Sequence, residues 1–176
     1  MTTYQPKYQG TLKILAHDGL ELVGYSRNSP TDNSTANTTR LLQLMVDNLK
    51  ERSFASRVYV SSSSWASTPF AKRDSKANDG IMSNLKSIND NTQDLLEYLN
   101  ACDHDICLIS IDFASLTTRS GDLLKLIEDN LAIKKIATET LTVNNGLFII
   151  DVQDLKENQR MLNRFDNRSV FINRPK

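Results

Sequence analysis

Leu22-Val23-Gly24-Tyr25-Ser26-Arg27-Asn28-Ser29-Pro30 decides the reading of this chain, because it passes from apolar strand to polar loop within a few residues. In an extended strand alternate residues share a face. Tyr25, Arg27 and Ser29 therefore leave the sheet on one side, at its carboxyl end. An arginine two residues before a serine sets a planar fork of donors beside a hydroxyl, the pairing that holds a phosphate's non-bridging oxygens while the hydroxyl attacks. The plain alternative is a strand running into an ordinary Ser/Asn/Pro turn, and taken alone the stretch favours it. The rest of the chain shifts the balance.

Upstream, residues 1–10 are polar, and Thr11-Leu12-Lys13-Ile14-Leu15 alternates polar and apolar. With Asp18-Gly19 as the turn and Leu20 to Tyr25 alternating again, residues 11–25 read as a β-hairpin whose first strand is an N-terminal addition covering a sheet edge. Downstream, residues 26–39 are almost devoid of apolar side chains, as in an active-site loop or a long helix cap. Thr38 or Thr39 can cap a helix over 40–52, where Leu41, Leu42, Leu44, Met45, Val46 and Leu49 recur at helical spacing. Phe54 and Arg57–Ser61 read as a strand, and the loop 62–76 is small and polar, with Trp65 and Phe70 anchoring it to the core. Residues 80–101 suggest one long or two short helices, broken near Asn89-Asp90-Asn91. Ile106 to Ile111 is a near-continuous apolar run of the kind buried in a central parallel strand. A helix over 122–130, a short strand over 133–138, an ambiguous 147–150 and a helical pattern over 151–165 complete the order. Strands alternating with helices predict an α/β fold with a mainly parallel sheet, whose ligands collect beyond the carboxyl ends of the strands.

Val-Gly-Tyr-Ser-Arg-Asn-Ser resembles the opening of the serine recombinases, the resolvase and invertase family, whose first strand runs roughly Gly-Tyr-Ala-Arg-Val-Ser with the last serine as nucleophile. A second block in the right order, ICLISIDFASLTTRSGDLLKLIEDN over 106–130, is similar to that family's strand ending in Asp-Arg-Leu-x-Arg and the Asp-Leu-Leu-x-Leu-Ile-Glu helix behind it. The likeness spans about residues 20–165. It implies a resolvase-like domain over 20–150, preceded by an extension over 1–19 and followed by a C-terminal helix and basic tail over 151–176. It further implies Ser29 as nucleophile, Arg27, Arg73 and Arg119 as phosphate-binding cations, and Asp112 orienting an arginine or managing the leaving-group proton. Tyr25 and Gln43, a possible counterpart of a glutamine on the family's first helix, would lie near the substrate. Thr142 to Gly146 resembles the family's loop before its final helix, which mediates dimer contacts and runs toward the minor groove. Lys156 to Lys176 carries six basic residues against two acidic, so Arg160, Arg164 and Arg168 are the candidate DNA contacts there; a solvated helix and tail is an equal alternative. The implied reaction is attack of serine on a DNA phosphodiester, giving a phosphoserine link and a 3′ hydroxyl that later reverses the step on a new partner. It is carried out by a dimer or tetramer with no metal or cofactor.

Composition constrains this expectation. The chain of 176 residues is one domain by the usual prior, long enough to bury a core. Lysine plus arginine equals aspartate plus glutamate at 21 each, so the whole molecule has no electrostatic reason to adhere to nucleic acid. Cys102 and Cys107 are too few for a disulfide scaffold, which points to a reducing compartment. His104 lies between Asp103 and Asp105 without CxxC or HxxxH spacing, and reads as part of a solvated loop. No apolar run spans a membrane and no signal-peptide pattern opens the chain, so the expected setting is cytoplasmic or nuclear.

Two departures from the family pattern bear on activity. Asp112 is followed by Phe113, so one of the paired arginines is lost unless a two-residue expansion brings Arg119 into the second position; either alignment has one cation fewer. Residues 1–176 hold no helix-turn-helix module, so specific DNA targeting is expected to need a partner, a longer native chain or only the basic tail, and Asn28 and Pro30 flank the presumed nucleophile. Two readings stay open: a recombinase catalytic domain, or a degenerate resolvase-fold protein serving as a dimerisation, interaction or regulatory module. A small-molecule phosphate binder is a third, which no glycine-rich loop supports.

Overall fold

The computed structural model describes residues 4–30, 34–74, 79–111, 113–139, 147–158 and 160. Its centre is the apolar run read above: Ile106, Cys107, Leu108, Ile109 and Ser110 form strand β3 (Ile106–Ser110) and are all buried. Strand β1 (Glu21–Arg27) lies beside it in parallel, with Val23 opposite Leu108. On its other side β1 pairs in parallel with β2 (Arg57–Ser61), Tyr25 opposite Tyr59. Strand β4 (Ile133–Glu139) continues the parallel sheet beyond β3, and β5 (Leu147–Asp151) closes it antiparallel, giving the order β2-β1-β3-β4-β5. Residues 147–150, open between helix and strand in the sequence, are strand.

Both faces of the sheet are covered, so the central strands are apolar on both sides, as parallel packing demands. Val23, Tyr25, Tyr59, Ile106, Leu108 and Ile136 join one core, with Leu95 and Leu99 of helix α4 (Thr92–Ala101), Leu116 of the short α5 (Phe113–Leu116), Leu123, Leu126 and Ile127 of α6 (Ser120–Asp129), and Val152 and Leu155 of α7 (Val152–Glu157). The alternate residues Leu22, Val58, Val60, Cys107, Ile109 and Ala137 join the other. There they meet Leu12 and Leu15 of α1 (Tyr4–His17), Leu42, Val46 and Leu49 of α2 (Thr35–Glu51), and Ile81 of the short α3 (Asp79–Met82). Helix α2 sits close to β1 because residue 24 has no side chain: a Cβ there would lie 3.1 Å from Leu49 Cδ1 and 3.3 Å from Ala55 Cβ.

The connection β1–α2–β2 runs over one face and the α4 and α6 connections over the other, so strand order reverses between β1 and β3. In doubly wound sheets that reversal opens a crevice at the carboxyl ends of the two strands. Among the described residues, no helix is long and apolar enough to cross a membrane.

The expected N-terminal hairpin is corrected: residues 4–17 are helix α1, so no strand is added before β1. A strand would place Leu12 and Ile14 on one face, but Leu12 is fully buried and Ile14 is 62% exposed, whereas Leu12 and Leu15, three apart, both face the core. Asp18-Gly19 is the helix stop rather than a hairpin turn. Gly19 N–H donates to Ala16 O and Leu20 N–H to Leu15 O, the paired bonds of a Schellman cap, with Leu15 and Leu20 in the same apolar cluster. Three smaller differences follow. Helix α2 begins at Thr35, capped by Ser34, whose hydroxyl accepts from Asn37 N–H at 3.1 Å, instead of starting behind Thr38 or Thr39. Phe54 stands before the strand with φ +57°. Of the two aromatic loop anchors, Phe70 is buried, but Trp65 is 57% exposed.

The left-handed backbone at Gly19, φ +101°, gives a direct test of the cap. Gly19→Ala is expected to destabilise the fold by about 1–2 kcal/mol, the penalty for a Cβ in that region. A lowered urea midpoint with an unchanged slope is the readout.

Candidate functional site

Three loops leave the carboxyl edge of the sheet, and their backbones are tied together. After β1, Asn28 N–H donates to Ser61 O at 2.9 Å and Ser64 N–H to Asn28 O at 3.0 Å, extending the β1–β2 ladder past the strand ends. The Asn28 side-chain amide reaches Ser29 O and Ser62 O. Arg27, only 9% exposed, turns back over this junction. Its Nη1 donates to Ser29 Oγ at 2.8 Å and to Ser64 O at 2.7 Å. Arg27 is the last residue of β1 and Ser29 lies two residues on in the loop, and the guanidinium and the hydroxyl come into direct contact. Such a donor stabilises negative charge building on that oxygen and holds the hydroxyl in one orientation.

Tyr25, on the same side of β1, is completely buried. Its hydroxyl lies 2.8 Å from Thr92 Oγ1 and accepts from Arg73 Nη1 at 3.1 Å. Arg73 is likewise sealed at 0% exposure, packed 4.1 Å over the Phe70 ring. Its Nε donates to Thr68 O at 2.9 Å and its Nη2 to Ala66 O at 3.2 Å. Among the described residues no carboxylate pairs with Arg73; its charge is solvated by carbonyl oxygens, a hydroxyl and aromatic faces. The planar fork of arginine suits this, since it serves several acceptors at once. Arg73 therefore holds the 62–73 loop against the core instead of opening toward solvent beside Ser29.

The third loop joins through the same carbonyl. Thr118 N–H and the Thr117 hydroxyl both donate to Ala66 O, at 3.2 Å and 3.1 Å, so Ala66 O is shared by Arg73 and the chain after β3. Thr117 Oγ1 also accepts from Arg119 N–H at 3.0 Å, placing Arg119 as the N-cap of α6 with an exposed side chain. Arg27 and Ser29 are in contact, Arg73 lies beneath them with Tyr25, and Arg119 stands on the adjoining loop. Asp112 lies outside the described residues, as do Arg164 and Arg168.

Gln43 is engaged elsewhere. On α2, its Nε2 donates to Lys86 O at 3.1 Å and its Oε1 accepts from Lys86 N–H at 2.8 Å, tying the helix to the segment after α3. Arg160 is exposed, with its backbone N–H on Asn158 Oδ1. A cleft of about 410 Å³ lies between α4 and α6, lined by Phe70, Gln93, Leu96, Glu97, Lys125 and Asp129 among others; Arg27 and Ser29 do not line it.

A second polar cluster, which the sequence reading left as a solvated loop, forms at the opposite edge. Glu21, the first residue of β1, meets the α4–β3 connection: its Oε1 accepts from Tyr98 OH and lies 2.7 Å from His104 Nε2. Its Oε2 accepts from Ser56 Oγ at 2.9 Å and pairs with Arg57 Nε at 3.3 Å. Burial pushes the Glu21 carboxyl up, but hydrogen bonds from Tyr98, His104 and Ser56 outweigh it and hold it below its usual range. The His104 imidazole is pushed up by its bonds to Glu21 and Asp103. The signal in the sequence was Cys102-Asp103-His104; its partner Glu21 lies 83 positions from His104 and is found only through the β1–β3 pairing.

The chain matches no family model and no curated protein.

Arg73→Lys is expected to lower stability by about 2 kcal/mol or more, because one ammonium cannot replace three separately aimed donors and leaves buried acceptors unmet. Urea unfolding measures it; wild-type stability would mean that the three donors are not holding the loop.

Proposed function

We propose that this chain is a resolvase-like protein whose Ser29 attacks a DNA phosphodiester. The observation that carries the reading is the 2.8 Å contact from Arg27 Nη1 to Ser29 Oγ at the carboxyl edge of a central parallel strand. The β1–β3 pairing supports it by bringing the two sequence blocks that resemble serine recombinases side by side. Ser29, half-buried, lies at the carboxyl edge of the sheet and does not line the α4–α6 cleft, which supports a substrate other than one held in that cleft.

In this reading Ser29 Oγ bonds to phosphorus as the bond to the 3′ oxygen breaks, leaving a phosphoserine ester and a free 3′ hydroxyl. Arg27 stabilises charge on the nucleophile and the phosphoryl oxygens, and the exposed Arg119 reaches the same phosphate from the adjoining loop. Arg73 acts as a positioning residue, fixing the loop that carries Ser64 and Ala66. Asp112, Arg164 and Arg168 keep the roles that the resemblance implies, in proton handling and DNA contact, and the active species is a dimer or tetramer.

A second reading, the interaction or regulatory module, is favoured by one observation: Arg73 is wholly enclosed and spends its donors on the protein's own acceptors. It removes a further cation from a phosphate site already short of one.

Incubation with supercoiled DNA followed by denaturing electrophoresis separates the two. The recombinase reading expects a covalent protein–DNA species that Ser29→Ala abolishes and Arg27→Ala reduces by a hundredfold or more, about 3 kcal/mol of lost transition-state stabilisation. Absence of the species in the unaltered protein, together with self-association in sedimentation, supports the module instead.

A further inference from the structure

We infer that Glu21, Cys102 and His104 form a binding site for a zinc-class divalent ion at the amino edge of the sheet. One ligand atom from each residue falls within 4.8 Å of the others. His104 Nε2 lies 2.7 Å from Glu21 Oε1 and 3.3 Å from Cys102 Sγ. Tetrahedral zinc binds nitrogen and oxygen at about 2.0–2.2 Å and sulfur at about 2.3 Å, which separates neighbouring ligand atoms by roughly 3.3–3.8 Å. To admit the ion, Nε2 and Oε1 move apart by about half an ångström and the exposed His104 ring, whose Nδ1 and Nε2 lie 3.4 Å and 3.3 Å from Cys102 Sγ, turns so that Nε2 faces the space between the thiol and the carboxylate. Thiolate, imidazole and carboxylate together make a borderline donor set that selects zinc over magnesium or calcium, which take oxygen ligands.

The surroundings orient the three ligands. Ser56 and Arg57 hold Glu21 Oε2 and leave Oε1 facing the cluster, with Tyr98 OH as a further support. With no ion bound, Nε2 donates to the Glu21 carboxylate at 2.7 Å, so an ion taken up at Nε2 displaces that proton, while Asp103 Oδ1, 3.3 Å from Nδ1, keeps the other ring N–H, the carboxylate–histidine arrangement common behind metal ligands. The side chain of His104 is 44% exposed, which leaves an entry path and a fourth position for water. The ion would tie the turn between α4 and β3 to the start of β1. It lies at the opposite edge of the sheet from Ser29 and is independent of the function proposed there.

Cobalt(II) titration of the full, reduced chain tests the site, since a cobalt–thiolate bond produces a charge-transfer band. One equivalent of cobalt is expected to saturate that band, and zinc to displace it. Cys102→Ser should abolish the band, and His104→Asn and Glu21→Gln should weaken binding on the order of tenfold or more. Cys107→Ala should leave it unchanged, because Cys107 is buried in the core with its thiol pushed up to about 12. Circular dichroism establishes that each variant is folded; His104 is exposed, and Cys102, the half-buried C-cap of α4, packs only at the margin of the core. No band in the unaltered protein, or a band that survives Cys102→Ser or is indifferent to His104→Asn, overturns the assignment and leaves a hydrogen-bonded cluster only.

Discussion

Strand β1 is hydrogen-bonded on both sides, to β2 and to β3, and that double pairing fixes the side chains at both of its ends. Its carboxyl end delivers Arg27 and Ser29 to the junction of the loops after β1 and β2, while its amino end delivers Glu21 to the connection entering β3. Helix α2 packs closely on β1 at residue 24, where a Cβ would oblige Leu49 and Ala55 to give by a few tenths of an ångström. A packed interior transmits such a constraint over its whole length, because side chains interdigitate with little free volume. The two edges of the sheet are thereby held in fixed register with one another.

At the carboxyl edge the organising groups are main-chain carbonyls. Ser64 O receives Arg27, and Ala66 O receives Arg73, Thr117 and Thr118. A loop of small residues cannot bury much apolar surface, so it is ordered by hydrogen bonds, each of net value about 1 kcal/mol but costly to leave unmade once water is excluded. Two arginines meet that need in different ways. Arg27 bridges a carbonyl and a hydroxyl close to solvent. Arg73 is enclosed by Tyr25, Phe70 and the loop it holds, its charge dispersed over a planar fork that a compact ammonium could not imitate.

The alternating arrangement of strands and helices was legible in the sequence because burial imposes it residue by residue. Ile106–Ser110 is apolar throughout as a strand covered on both faces must be, and Leu42, Val46 and Leu49 fall on one side of α2. The nearness of Arg27 and Ser29 was legible too, from their spacing of two, but β1 ends at Arg27, so the contact itself is made by a strand-end guanidinium and a loop hydroxyl. Residues 11–15 misled because a short apolar run fits either period. Leu12 and Leu15 satisfy a helix, Leu12 and Ile14 a strand, and the packing of α1 on the sheet decided between them.

By itself, then, the order of residues determined strands β1 to β4 and the helical segments after β1, β2 and β3, since burial imposes periodicities of two and 3.6, and it set a cation two residues from a hydroxyl. Only the tertiary structure decided that Arg73 would be sealed inward, that Gln43 would serve Lys86, and that Glu21 would meet Cys102 and His104. Those partners are far apart in the chain, and which of several polar groups a side chain meets is settled by how strands are ordered across the sheet. No local pattern encodes that order.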